Sequence, residues 1–258
     1  MKDRTKNSIK PFWSWNDKLE KNELEKQIEL MKQNGIEGFF MHARGGLRTE
    51  YMSDEWFNMV EVCLDKADEL GMQAWAYDEN GWPSGFAGGI VPSKCVEFQQ
   101  KHIKCQEFDG GTLPENIIAV FRRNGNVFQR KEIPEKGDYI FCLIINPYYT
   151  DVFNKDAIRE FIDATHEKYY KRFGNRFGTS LKGFFTDEPQ FGNGGGNNLE
   201  WSHLFPDEFK NRYGYDLIEN LPNLFYDTEK SSAVRNDFHS MVSDMFCTSF
   251  IKQVYDWC

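Results

Sequence analysis

Two adjacent carboxylates follow an apolar run in the last third of the chain, where acid–base chemistry could take place. Residues 181–186 are mostly apolar, and Asp187, Glu188 and Pro189 come next. Glycoside cleavage needs one carboxylic acid to protonate the leaving oxygen and a second carboxylate opposite it. Neighbouring residues of a strand point to opposite sides, so only one of the two can face a shared centre. We assign Glu188, which we expect to be partly buried at the rim of a cleft, as the catalytic acid and Asp187 as a substrate-binding or supporting residue; helix capping or pairing with an arginine is the structural alternative.

Two more apolar runs end in polar or charged residues that could bind a substrate. Asp78 and Glu79 end one of them, and Trp82 follows in a turn. These carboxylates could bind sugar hydroxyls, bind a cation or shift the pKa of Glu188 by like-charge repulsion. The indole could stack on a sugar ring, or all three side chains could simply hold their own loop. His42 and Arg44 follow another run, and they could bind a hydroxyl and a carboxylate of a substrate. We assign all five as substrate-binding candidates.

The sequence shows no spacing typical of a zinc site or of a phosphate-binding loop. The six cysteines include no C-x-x-C pair, which favours free thiols over a zinc site. The glycine-rich stretch at residues 192–198 lacks the ending of a phosphate-binding loop, and it predicts a flexible rim of the active site. The metal ligands, if any, stay unknown. The four remaining histidines lack ligand spacing and are interpreted as structural: His102, His166, His203 and His239.

The carboxylates belong to a repeating alternation of strands and helices. Apolar strands are predicted at residues 11–15, 36–41, 72–77 and 181–186, with helices at 18–34 and 54–70 between the first three. Such an order predicts parallel, adjacent strands covered by helices. Trp13 and Trp15 alternate on the first strand, so they share one side, the barrel core or a pocket floor. Further predictions are a β-rich insertion at about 95–147 and helices at 155–173, 206–213 and 231–257.

These elements predict an α/β fold, specifically the first four βα units of a (β/α)₈ TIM-type barrel with a small β-rich insertion. Active sites of such barrels lie at the carboxyl ends of the strands, where the candidate residues stand. A full barrel needs four more strands, and the residues after Pro189 do not predict them. We therefore expect residues 1–258 to be the N-terminal part of the barrel, with the C-terminal half missing, and the chain alone could then be inactive.

The composition of the chain favours some classes of binding partner over others. The net charge of −9 argues against nucleic acid, because phosphate binding needs clustered Lys and Arg. Aromatic residues make up 16% of the chain, which suits a site that stacks on sugar rings. The sequence contains no run of about 18 apolar residues, so no membrane span is predicted. Residues 1–10 are polar and show no signal peptide, so a cytoplasmic protein is expected unless a leader is missing.

Four motifs together resemble a known family. Residues 11–16 (PFWSWN), 35–44 (GIEGFFMHAR), 77–85 (YDENGWPSG) and 186–189 (TDEP) resemble the start of the catalytic barrel of glycoside hydrolase family 106, the α-L-rhamnosidases. The resemblance implies an oligosaccharide or glycoside substrate and an inverting mechanism of two carboxylates, with Glu188 as the acid. It also implies a calcium site; much of that site, like the partner base, would lie in later strands.

Two other hypotheses stay open. A retaining glycosidase of β-galactosidase type also places an acid after the fourth strand, and its two carboxyl groups would lie closer together than in an inverting enzyme. A barrel that has lost catalysis and only binds carbohydrate is the third, although the intact Asp187 and Glu188 argue against it.

Overall fold

The chain begins with alternating strands and helices and continues with a run of antiparallel strands. This computed structural model describes residues 9–192 and 198–258. Within them, the elements in chain order are β1 (Phe12–Trp15), α1 (Lys21–Gln33), β2 (Gly38–Ala43), α2 (Asp54–Leu70), β3 (Gln73–Asn80), β4 (Gln99–Glu107), β5 (Ile117–Asn124), β6 (Val127–Lys131), β7 (Tyr139–Thr150), α3 (Lys155–Ala164), α4 (His166–Phe173), β8 (Leu181–Phe185), β9 (Asn198–Trp201), α5 (Phe205–Tyr213), α6 (Leu221–Phe225), α7 (Ser231–Phe246) and α8 (Lys252–Trp257).

Two compact units divide these elements. The first comprises Met1–Ile90 with Glu160–Pro189, and the second comprises Val91–Arg159 with Gln190–Cys258. All candidate active-site residues lie in the first unit.

A four-stranded parallel sheet forms the first unit, in the order β1-β2-β3-β8. The prediction of four adjacent parallel strands in this order is confirmed. One boundary was wrong, because β3 continues through Asp78 and Glu79 to Asn80. Both carboxylates are therefore part of the strand, and the loop begins after them.

Helices α1 and α2 cover one face of this sheet. The Ser53 hydroxyl accepts a hydrogen bond from the Trp56 amide at 3.2 Å, and Gly71 ends α2 in the left-handed conformation with φ 63°. These are standard helix start and stop signals, and they explain why the predicted bounds 54–70 match. Trp13 and Trp15 pack on this face in one core with residues of both helices. Their placement inside a barrel was therefore wrong, whereas both indoles do line a pocket beside α1.

The opposite face of the sheet carries touching aromatic rings. Phe12 meets Phe185 with ring centroids 4.8 Å apart, and Phe40 meets Trp75 at 5.6 Å. Phe12 is 48% exposed. This face thus presents apolar surface that α1 and α2 do not cover.

The helix predicted at 155–173 is two helices. Thr165 separates α3 from α4 with φ −120° and ψ −82°, and its hydroxyl donates to the Phe161 carbonyl at 2.7 Å. A threonine hydroxyl that bonds back to a carbonyl four residues earlier often bends a helix. The break turns His166 into the first residue of α4.

The second unit contains a five-stranded sheet in the order β6-β5-β7-β4-β9, antiparallel throughout. β-structure was predicted for this segment, and a turn at Gly125 joins β5 to β6. β4 and β9 were not identified individually. Of the predicted flexible stretch 192–198, residues 193–197 lie outside the described residues, and Asn198 begins β9. The fold is therefore mixed α/β, with one parallel and one antiparallel sheet.

Candidate active site

The carboxyl ends of β2, β3 and β8 bring most of the candidate residues to one edge of the parallel sheet. His42 lies near the end of β2, Asp78 and Glu79 near the end of β3, and Asp187 just after β8. Parallel strands present their carboxyl ends on the same edge, so residues far apart in sequence meet there. Hydrogen bonds join the end of β3 to the residues after β8, as described next.

Asp78 is a buried carboxylate that links two segments. One oxygen accepts a hydrogen bond from the Ser84 hydroxyl at 2.5 Å and the other accepts one from the Thr186 hydroxyl at 2.6 Å. Burial raises the pKa of Asp78 to about 7, against the lowering effect of these two hydrogen bonds. Asp78 has no exposed surface. In this arrangement its carboxylate contacts protein groups rather than solvent.

Glu79 organises the loop that follows β3. One of its oxygens accepts from the amides of Gly85, Phe86 and Ala87 at 3.1, 2.9 and 2.8 Å. Its other oxygen accepts from Asn80 at 2.8 Å and from Gly88. Burial raises the pKa of Glu79 to about 8, and these amide donors act against that shift. Both oxygens are thus occupied by the backbone of residues 80–88.

Asp187 is held by Tyr77 and Ser84. The Tyr77 hydroxyl donates to the Asp187 carboxylate at 2.9 Å. The Asp187 amide donates to the Ser84 hydroxyl at 2.8 Å, and the Asp187 carbonyl accepts from the Ser84 amide at 2.8 Å. Asp187 is half-buried. Its carboxylate and its backbone are therefore fixed by two different residues.

Glu188 is exposed and has an unusual backbone conformation. Its φ is 42°, a left-handed value that few residues other than glycine adopt. Such conformations cost free energy and are found more often at functional sites. The sequence led us to expect partial burial, and that was wrong because the side chain points to solvent at the strand end. A carboxylic acid in this place is accessible to a bound ligand.

His42 has an unfilled hydrogen-bonding capacity. Its side chain is 1% exposed, and neither ring nitrogen has a hydrogen-bond partner among the described residues. Its ring packs on Tyr77 with centroids 3.7 Å apart. Burial, and then the charge of Arg44, lower the pKa of His42 to about 4, and Asp187 acts in the opposite direction. The neutral ring can offer one donor and one acceptor to a ligand.

Arg44 and Trp82 are exposed on neighbouring loops. Arg44 makes no ion pair with any described residue, so its guanidinium is available to an anion or a hydroxyl. Trp82 is 47% exposed, and an indole with this exposure can stack on a sugar ring.

His166 lies beneath the site, although its sequence context gave no sign of this. The Thr165 hydroxyl gives its proton to Phe161, so it can only accept from His166 Nδ1, 2.8 Å away. His166 Nε2 is then unprotonated in the neutral ring, and it lies 3.6 Å from an Asp78 oxygen. Burial lowers the pKa of His166 to about 3. An acceptor nitrogen does not stabilise an ionised carboxylate, which agrees with the raised pKa of Asp78.

Four residues of this site were missed from the sequence: Tyr77, Ser84, Thr186 and His166. Thr186 and Tyr77 each stand next to a predicted carboxylate, and Ser84 is part of the recognised YDENGWPSG motif. These three residues could have been identified from the sequence, because each stands next to a candidate residue or in the same motif. Nothing in the sequence around His166 indicates a contact with Asp78, because the contact depends on how α4 packs on the sheet.

The described ranges contain neither a metal-ligand cluster nor a helix that could span a membrane. No group of three or more His, Cys, Asp or Glu is placed to hold a metal ion there. Calcium, expected from the family resemblance, therefore has no candidate ligand set in this part of the chain. None of the helices described is both long and apolar enough to cross a membrane.

Comparisons with known proteins support the family resemblance, but of the four motifs only residues 186–189 lie inside the range that the family model matches. Residues 146–258 match the family model of the glycoside hydrolase 106 α-L-rhamnosidases. The structure of a rhamnosidase from Novosphingobium sp. superposes on 97% of this chain with a TM-score of 0.60 and 12% sequence identity, a likeness of fold. The chain spans 45% of the length of that rhamnosidase. No curated protein matches the sequence. The resemblance of this chain to glycoside hydrolase family 106, the α-L-rhamnosidases, is thus confirmed.

Proposed function

We propose that the protein is a glycoside hydrolase that releases α-L-rhamnose, with Glu188 as its catalytic acid. The observation that carries the proposal is the end of β8, where Asp187 is held on its backbone and its side chain while Glu188 next to it is exposed. An acid must reach the leaving oxygen of the substrate, so it has to be accessible and firmly placed. Glu188 meets both conditions.

The neighbouring residues receive roles in substrate binding. His42 takes a sugar hydroxyl, because its neutral ring is buried and both nitrogens lack a partner in the described chain. Arg44 binds an oxygen of the substrate, and Trp82 stacks on a ring face. Asp187 lies between Tyr77 and Glu188 and supports the acid.

Asp78 and Glu79 receive a different role from the one predicted. Their oxygens are engaged by protein donors and neither side chain is exposed. We assign them to the support of the site, Asp78 through Ser84 and Thr186 and Glu79 through its loop.

The parallel sheet is proposed to be the first part of a (β/α)₈ barrel, with residues of about 95–147 inserted after its third strand. The order β1-β2-β3-β8 with helices on one face supports this. Barrel strands carry their active-site residues at the carboxyl ends, as here. An inverting mechanism follows from the family resemblance, with water attacking opposite the departing group.

Glu188→Gln in the full-length protein tests the proposal. The amide keeps the shape of the side chain but has no transferable proton. General acid catalysis is worth roughly 10²–10⁴-fold in rate, so kcat on an alkyl α-L-rhamnoside should fall by that order, with little change in KM. On an aryl rhamnoside with an activated leaving group, the loss should be much smaller.

Glu61→Gln is the matched control, because Glu61 is an exposed residue of α2 and its substitution should leave both rates unchanged. If Glu188→Gln kept full activity on the alkyl glycoside, the assignment would be wrong. Asp187 would then be the next carboxylate to test, since both oxygens of Glu79 are bound to backbone amides.

A further inference from the structure

Ser84, in the loop after β3, forms hydrogen bonds with both β3 and the residues that follow β8. Its hydroxyl donates to Asp78 on β3 at 2.5 Å and accepts from the Asp187 amide at 2.8 Å. Its own amide donates to the Asp187 carbonyl, also at 2.8 Å. Both backbone polar groups of Asp187 are therefore bound by the same residue. This two-point attachment fixes the peptide that leads into Glu188.

Asp78 anchors the other end of this arrangement. Its second oxygen accepts from Thr186, the residue before Asp187, at 2.6 Å. One buried carboxylate thus binds the loop after β3 and the strand end after β8 at once. Two hydrogen bonds from hydroxyl groups also satisfy a carboxylate that has lost contact with water.

The loop that presents Ser84 is itself held in place. Glu79 binds the amides of Gly85, Phe86, Ala87 and Gly88, which follow Ser84 directly. Ser84 therefore has little freedom to move with its loop, and its hydrogen bonds hold Asp187 against a fixed support.

The direction of Glu188 depends on this support. With φ at 42°, Glu188 holds a backbone conformation that costs free energy and persists only when its surroundings enforce it. The preceding peptide is the part that Ser84 grips. A displacement of about 1 Å of a reacting group can lower a rate by about 10²-fold.

We propose that Ser84 and Asp78 form a positioning pair that sets the direction of the acid Glu188 without contacting the substrate. The inference rests on the proposed role of Glu188. Loss of the Ser84 hydroxyl leaves the acid present but misdirected, so that protonation of the leaving oxygen is impaired while sugar binding is retained.

Ser84→Ala in the full-length protein tests the positioning pair, because the effect of the substitution on kcat should depend on the leaving group of the substrate. The measured quantity is kcat on an activated aryl α-L-rhamnoside divided by kcat on an alkyl α-L-rhamnoside. We expect this ratio to rise roughly tenfold or more, with KM nearly unchanged, because only the alkyl leaving group needs the proton. A purely structural loss of active enzyme would lower both rates equally. An unchanged ratio in soluble Ser84→Ala would overturn the proposal.

Ser202→Ala is the matched control. Ser202 is also buried, donates to a buried aspartate (Asp151, 2.7 Å) and accepts from a backbone amide (Leu204, 3.3 Å), but it belongs to the second unit. Its ratio should stay within about twofold of the wild type. If Ser84→Ala does not give folded protein, Thr186→Val decides, because it removes the other hydroxyl donor to Asp78 at similar volume. A raised ratio supports the pair and an unchanged ratio overturns it.

The double variant separates this inference from the proposed function. If Glu188→Gln alone leaves the ratio unchanged, the role of Glu188 fails and the positioning pair fails with it. If Glu188→Gln raises the ratio and Ser84→Ala does not, only the positioning pair fails. If both raise it, Ser84→Ala added to Glu188→Gln should cause no further rise, because residues acting through one group are not additive.

Discussion

The two acidic pairs of the candidate site differ in burial, and the difference indicates different roles. Asp78 and Glu79 are inaccessible and bound by protein donors, whereas Glu188 is exposed and Asp187 half-buried. The sequence could identify all four, because each pair ends an apolar run. It could not tell which pair is accessible, because that depends on Ser84 and on the loop amides that reach Asp78 and Glu79.

The two buried histidines of this unit predict a pH dependence of stability. The pKa of His42 is lowered to about 4 and that of His166 to about 3, both by burial, from an ordinary value of 6.5. Between pH 6.5 and 4 these two rings bind more protons in the unfolded chain than in the folded chain, so their contribution to stability falls as the pH falls. Each ring contributes up to about 1.4 kcal/mol per pH unit. Asp78 and Glu79, with their raised pKa values, act in the opposite direction.

His42→Gln measures this contribution. The free energy of unfolding, obtained from urea titrations at pH 4.5, 5.5 and 6.5, should fall less steeply with decreasing pH than in the wild type. His239→Gln is the control, because the His239 side chain is 59% exposed, and it should keep the wild-type slope. Equal slopes for His42→Gln and wild type would contradict a neutral, buried His42.

At the scale of single elements, local signals were reliable and long-range ones were not. The bounds of α2 follow from Ser53 and Gly71, which act within one helical turn. The pairing of β9 with β4 brings together residues such as Trp201 and Lys101 that are distant in sequence, and no local pattern encodes it. The break at Thr165 was missed as well, since the periodicity of apolar residues continues across it.

The loop after β3 depends on a single side chain, which predicts a large effect of changing it. In Glu79→Gln, one acceptor oxygen is replaced by an amide NH2 group, a hydrogen-bond donor that faces backbone N–H donors. Buried donors without a partner cost about 1–3 kcal/mol each, so unfolding should require at least about 2 kcal/mol less free energy than in the wild type. Urea denaturation measures it. Glu61→Gln on α2 removes a charge from an exposed site and should change stability by less than about 0.5 kcal/mol. Equal stabilities of the two variants would contradict the proposed support role.

For the whole molecule, the parallel sheet was predictable because all four strands are apolar runs with polar ends, and β2 and β3 each follow a helix that stops at a glycine. The faces of the sheet were harder to assign. Trp13 and Trp15 were placed inward, yet they pack with α1 and α2, while Phe12, directly before Trp13, lies on the other face. Alternation along a strand states that two residues share a side, but only packing shows which side the helices cover.

The uncovered aromatic face predicts self-association of the 258-residue chain when it is produced alone. Parallel sheets normally have both faces covered, whereas α1 and α2 cover only one here. In the described sheet, β1 and β8 each have a strand neighbour on one side only, which leaves backbone groups open to another chain. Phe12 is the most accessible ring of the face, at 48% exposed, and it contacts Phe40 and Phe185. Further barrel strands would cover this surface in the proposed fold.

Phe12→Ser should therefore shift the chain toward the monomer, as measured by sedimentation velocity at tens of micromolar protein. Ile133→Ser is the control, since Ile133 is 75% exposed but belongs to the second unit; removing it should leave the distribution of species unchanged. If exposed apolar area alone drove association, Ile133→Ser would have the larger effect, because more of its side chain is accessible. A wild-type chain that is monodisperse and melts cooperatively as a monomer would show that the face needs no cover, and the proposed barrel would lose its main physical support.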